Sequence, residues 1–69
     1  AASDVYKRQL TQREKQILNS VNAGLMNYQI AQRLGLSERT VETHRANAYK
    51  KVGVKDLQQL KEFLSHVDI

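Results

Sequence analysis

His44 and His66 are the only imidazoles in the chain; they stand 22 residues apart, and no cysteine accompanies them. A zinc site needs about four ligands at a recognisable spacing, and no such spacing is present. The expected role of His44 is packing or hydrogen bonding at the inner edge of a helix, not metal ligation or base catalysis. Ser37 has no His/Asp constellation beside it to make it a nucleophile, so it reads as a helix cap. No glycine-rich loop offers a cradle for phosphate. The chain is therefore expected not to be an enzyme and to need no cofactor or metal. What remains is a concentration of cations, Arg39, Arg45, Lys50 and Lys51, in the stretch "SERTVETHRANAYKK". Such cations either grip an anion or cover apolar surface with their stems while pairing with acids such as Glu38 or Glu42.

Local signals place this stretch on a helix. Thr11-Gln12-Arg13-Glu14 fits a capping box, followed by an apolar stripe of Ile17, Leu18 and Val21 and a left-handed stop at Gly24. Asn27 is the expected cap of a short second helix, Tyr28 to Leu34, with Ile30, Ala31 and Leu34 on one face. Gly35 permits the positive φ of a sharp turn. Ser37 caps a longer third helix, about Glu38 to Val52, closed by Gly53. Asp56 caps a last helix lined by Leu57, Leu60, Leu64 and Val67. Neither alternating apolar runs nor Asn-Gly turns compete, so the fold class is all-α.

At about 100° per residue, Val41, His44, Ala48 and Val52 share one side of the third helix. The opposite side carries Arg39, Thr43, Ala46 and Lys50, flanked by Glu42 and Asn47. That face is short-chained in the middle and basic at its edges, which suits a groove about 12 Å wide. A short helix, a glycine turn and a capped longer helix form the helix-turn-helix arrangement, whose second helix enters the major groove of DNA. Ile30, Ala31, Leu36 and Val41 are expected to lock the two helices together.

Composition agrees. The chain has 69 residues, net charge +4 and a sequence pI of about 9.7. A domain of this size buries only about 60% of its unfolded surface. No apolar run approaches the ~18 residues of a membrane span, and no leader is apparent, so a cytoplasmic protein without membrane contact is expected. The first nine residues continue no later period, and Asp4 to Gln9 can be encoded by a transposon end used in sequencing-library construction. They are read as a linker or technical scar, with the DNA-binding domain spanning 10–69. Setting them aside removes Asp4, Lys7 and Arg8 and leaves nine basic against six acidic residues. Lacking an initiator Met, the chain is expected to be a fragment of a longer protein.

"LTQREKQIL" and "GLMNYQIAQRLGLSERTVETHRANAYKKVGV" resemble the LuxR-type DNA-binding domain of bacterial transcription regulators, from Leu10 to about Leu64. "TVETHRAN" followed by "VKDLQQL" is most similar to the branch of nitrogen-fixation response regulators, in which a phosphorylated receiver domain precedes the DNA-binding domain. The resemblance implies four helices, with the third for recognition and the fourth for dimer contact on double-stranded DNA. It implies base-facing roles for Glu42, Thr43 and Ala46, and backbone phosphate contacts from Arg39, Thr40, Asn47 and Lys50. The resemblance also makes RNA polymerase a candidate partner. Glu42 departs from a position often basic in the wider family, and a carboxylate there accepts from a cytosine amino group instead. Tyr28 stands where Lys is common, and Met26 where Ser or Pro is frequent. The promoter-reading domain of a sigma factor shares the opening Leu-Thr-x-Arg-Glu and is the nearest rival; a protein-interaction module of the same fold is the rival from another class. Arg45, near the inner edge, is open between packing and phosphate contact. Phe63 and Val67 are candidates for the dimer surface, with a simple core contact as the alternative.

Overall fold

The computed structural model describes residues 9–66, and within them the backbone forms α1 (Gln12–Asn22), α2 (Asn27–Leu34), α3 (Glu38–Val52) and α4 (Leu57–His66). The described residues contain no strand, in line with the all-α expectation. α1 opens on the expected capping box. Thr11 Oγ1 accepts from the Glu14 N–H at 3.1 Å, and Glu14 Oε1 accepts from the Thr11 N–H at 2.9 Å. The helix ends through the Ala23–Gly24 turn, where the Leu25 N–H reaches the Ser20 carbonyl and the Gly24 N–H reaches that of Val21. These two bonds are the Schellman pattern, which satisfies carbonyls that the helix end would otherwise orphan.

α2 begins one residue earlier than expected. Met26, not Asn27, holds the extended capping conformation, and its N–H is satisfied by Gln29 Oε1 at 2.9 Å. Asn27 is the first helical residue, and its side-chain oxygen is engaged elsewhere, by Arg45. The return bond from Gln29 thus suffices to start the helix without a side-chain acceptor at the cap. Gly35 ends α2 at φ 68°, a left-handed conformation that costs a residue with a Cβ about 1 kcal/mol. Its turn aims the chain directly into Ser37, whose Oγ accepts from the Thr40 N–H at 3.1 Å to start α3. Asp56 Oδ1 does the same for α4, accepting from the Gln59 N–H at 2.9 Å.

The core is built by one stripe from each helix. Ile17, Leu18 and Val21 from α1, Ile30 and Ala31 from α2, Val41, Ala48 and Val52 from α3 and Leu60 from α4 are buried, together with Leu10. Leu34, Leu36, Leu57, Phe63 and Leu64 close its margins. α3 lies against both α1 and α2, while α4 packs on α1. Ala31 is only 6% exposed at the junction of α2 with this core. Ala31→Leu is expected to overpack it and lower stability by about 1–3 kcal/mol, measured by chemical denaturation. An unchanged midpoint would rule out the close packing described.

Candidate nucleic-acid interface

α3 has one buried side, two pinned flanks and one free side. On the first flank, Arg45 Nη1 donates to Asn27 Oδ1 at 3.1 Å and Arg45 Nε donates to Tyr49 Oη at 3.2 Å. The guanidinium also lies over the Tyr49 ring, 5.2 Å from its centroid, within the range of a cation–π contact. On the second flank, Lys51 Nζ donates to Glu14 Oε1 at 2.8 Å. These contacts tie α3 to the first turn of α2 and the first turn of α1. They fix the rotation of α3 about its own axis, and so fix which side faces outward.

The Glu14 carboxyl is 3% exposed. Burial alone would push its pKa up. The Lys51 hydrogen bond, the Thr11 N–H, the Lys51 charge and the Thr11 hydroxyl outweigh that, so its pKa falls below the ordinary glutamate value. The sequence showed Glu14 only as a cap residue. Its place in the spacing 14, 17, 18, 21, the same face as the apolar stripe, was the available sign that it would be buried and need a cation.

The free side carries the residues anticipated from the sequence. Arg39, Glu42, Thr43, Ala46, Asn47 and Lys50 are all exposed. Arg39, Glu42, Asn47 and Lys50 make no side-chain hydrogen bond or ion pair among the described residues. Glu38 and Glu42 do not take up the cations: Arg45 pairs with Asn27 and Tyr49, and Lys51 with Glu14. The contact with Asn27 and Tyr49 gives Arg45 a packing role. Thr40 is half-buried at the start of α3, its Oγ1 2.8 Å from Ser37 Oγ, so its hydroxyl belongs to the cap as much as to the surface. His44 is half-buried on the inner edge, as anticipated. Among the described residues, no three His, Cys, Asp or Glu side chains are grouped closely enough to hold a metal ion. Phe63 is half-buried against the core, and Val67 lies outside the described residues. Met26 and Tyr28, at 63% and 50% exposure, are the exposed large apolar side chains among the described residues. Within the described residues, no helix is long and apolar enough to cross a membrane.

A capped, glycine-turned pair of helices with the second helix fixed outward is a helix-turn-helix unit. Residues 8–64 match the family described as bacterial regulatory proteins, luxR family. The chain belongs to that family, and it is a DNA-binding output domain of the kind carried by bacterial transcription regulators. The rival assignment to a sigma-factor promoter-reading domain gives way to this match. Among its relatives is the transcriptional regulatory protein FixJ of Rhizobium meliloti, 48% identical over 61 residues, which cover 86% of this chain and 30% of that protein. The CsgBAC operon transcriptional regulatory protein of Escherichia coli is 50% identical over 50 residues, covering 72% of this chain and 23% of that protein. The response regulator protein TmoT of Ectopseudomonas mendocina is 45% identical over 51 residues, 74% of this chain and 23% of that protein. The chain thus spans less than a third of the length of these relatives. No solved structure matches it at a significant level.

Proposed function

We propose that this domain binds duplex DNA sequence-specifically as a homodimer on paired half-sites, acting in the cytoplasm as the output of a regulator that meets RNA polymerase. α3 lies in the major groove, with Glu42, Thr43 and Ala46 toward base edges. Arg39, Lys50, Asn47 and the first turn at Thr40 grip phosphates. The observation that carries this reading is the free side of α3: short side chains in its middle, unpaired cations at both ends, and flanks pinned by Asn27 and Glu14. Arg39 and Lys50 are 11 positions apart, about 16 Å along a helix at 1.5 Å per residue, so together they bracket the middle. α4 supplies the dimer contact, through Phe63 and Val67. A receiver domain ahead of the chain provides the signal, as in a two-component system.

Selection of bound sequences from random duplex DNA tests the reading. Wild type is expected to yield a two-part motif, and Glu42→Ala to lose preference at one base pair per half-site, a discrimination of about 1–3 kcal/mol. If Glu42→Ala selects the wild-type motif unchanged, Glu42 does not face a base. A protein-interaction module would show no salt-sensitive binding to any duplex.

A further inference from the structure

At Glu42, Thr43 and Ala46 the middle of the free side of α3 holds hydrogen-bond acceptors and methyl groups, while the short amide donor Asn47 stands on the opposite edge of the face, where it is assigned to phosphate. Thr43 Oγ1 donates its only proton to the Arg39 carbonyl at 3.0 Å, the back-bonding that a threonine one turn along a helix can make. Toward solvent the Thr43 hydroxyl therefore offers lone pairs, with its methyl beside them. Glu42 is exposed, and its ionised carboxylate accepts only. Ala46 adds a second methyl. Beside them lies a shallow cleft of about 260 Å³ lined by Asn27, Glu42, Arg45, Ala46 and Tyr49. Its neighbouring cation, Arg45, has Nε and Nη1 turned away to Tyr49 and Asn27. Long donors stand only toward the two ends of the face, at Arg39 and Lys50.

Base edges in the major groove differ in this respect. Guanine shows two acceptors, N7 and O6, and needs a donor from the protein. Cytosine N4 and adenine N6 are amino donors, and thymine adds a methyl group. We propose that the centre of each half-site is read through exocyclic amino groups and thymine methyls, with guanine N7 and O6 left uncontacted there. Glu42 accepts from a cytosine N4 amino group. Thr43 accepts from an adenine or cytosine amino group. Ala46 and the Thr43 methyl lie against thymine C5-methyls, with the cleft beside Ala46 leaving room for that group. This code rests on α3 being the recognition helix.

Single-atom changes in the DNA test it. The selected duplex is resynthesised with one analogue at a time at the central base pairs, and binding is measured by fluorescence anisotropy at fixed salt. Replacing cytosine by its analogue lacking the N4 amino group is expected to weaken binding about tenfold or more at the Glu42 position. Glu42→Ala is expected to be indifferent to that replacement. Uracil in place of thymine is expected to cost a few-fold near Ala46, and 7-deazaguanine, which lacks the N7 acceptor, to cost nothing. A loss with 7-deazaguanine at a central position, or a selected motif without base preference there, overturns the amino-group code while duplex binding stands. Absence of any salt-sensitive duplex binding overturns the code and the recognition-helix reading together.

Discussion

Glu14→Ala is expected to lower the melting temperature by about 8–16 °C, corresponding to about 2 kcal/mol in a domain of this size. The carboxylate does two things at once: it accepts the Thr11 N–H at the start of α1 and the Lys51 ammonium at the end of α3. Breaking a buried pair often costs 3–5 kcal/mol because the surviving charge stays buried. Here the survivor is Lys51, whose side chain is 35% exposed and whose flexible stem can return the ammonium to water. The penalty therefore falls toward the sum of a lost cap and a lost charge-assisted hydrogen bond. Glu14→Gln keeps the shape and an acceptor for the Thr11 N–H, and is expected to lose roughly half as much. A thermal melt followed by circular dichroism decides it. A drop of less than about 3 °C for the alanine variant would mean that the pair contributes nothing net.

The same pair makes stability depend on pH in a defined direction. The folded-state pKa of Glu14 lies below its unfolded value. The unfolded chain therefore binds the proton more readily, and acid favours unfolding. The contribution of Glu14 is fully present above the ordinary glutamate pKa of about 4.3 and is lost as pH falls through the folded value. The gap in melting temperature between wild type and Glu14→Gln is accordingly expected to be larger at neutral pH than near pH 3.

These consequences were not legible from the sequence, although much of the fold was. Helix starts at Thr11, Ser37 and Asp56 are short-range facts, settled by a side-chain oxygen and an N–H three residues on. The stripe of Val41, Ala48 and Val52 is likewise a matter of helical period. At α2 the short-range rule misled by one residue, because Gln29 could satisfy Met26 and so left Asn27 available to Arg45. The larger gap concerned cations. Lys50 and Lys51 are chemically alike and adjacent, but a helix turns about 100° between them. That rotation carries Lys51 to the flank facing Glu14, 37 positions earlier in the chain, and leaves Lys50 on the free side. Arg45 is separated from Arg39 in the same way, by contact with Asn27 18 positions earlier. Periodicity gives the angle of each residue on its own helix. Whether a partner waits there depends on how α1 and α2 pack around α3.

That division between spent and free cations carries the largest expected effect on binding. Neutralising phosphates releases counterions, so the logarithm of affinity falls with the logarithm of salt at about −0.9 per phosphate contacted. Arg39 and Lys50 from each half of the proposed dimer give four contacts and a slope of about −3.6, hence a loss of about 100-fold in affinity between 50 and 200 mM salt. Lys50→Ala removes two contacts per dimer and is expected to bring the slope to about −1.8, weakening selected and random duplexes alike because phosphates carry no sequence. Lys51→Met is the telling control. It deletes an equal charge one residue away and keeps an unbranched side chain of similar length, but Lys51 is occupied by Glu14. Its salt slope is expected to match wild type at temperatures where the variant remains folded by circular dichroism. Equal reductions in slope from Lys50→Ala and Lys51→Met would mean that only net charge matters, and that the free side of α3 does not select which cations meet the DNA.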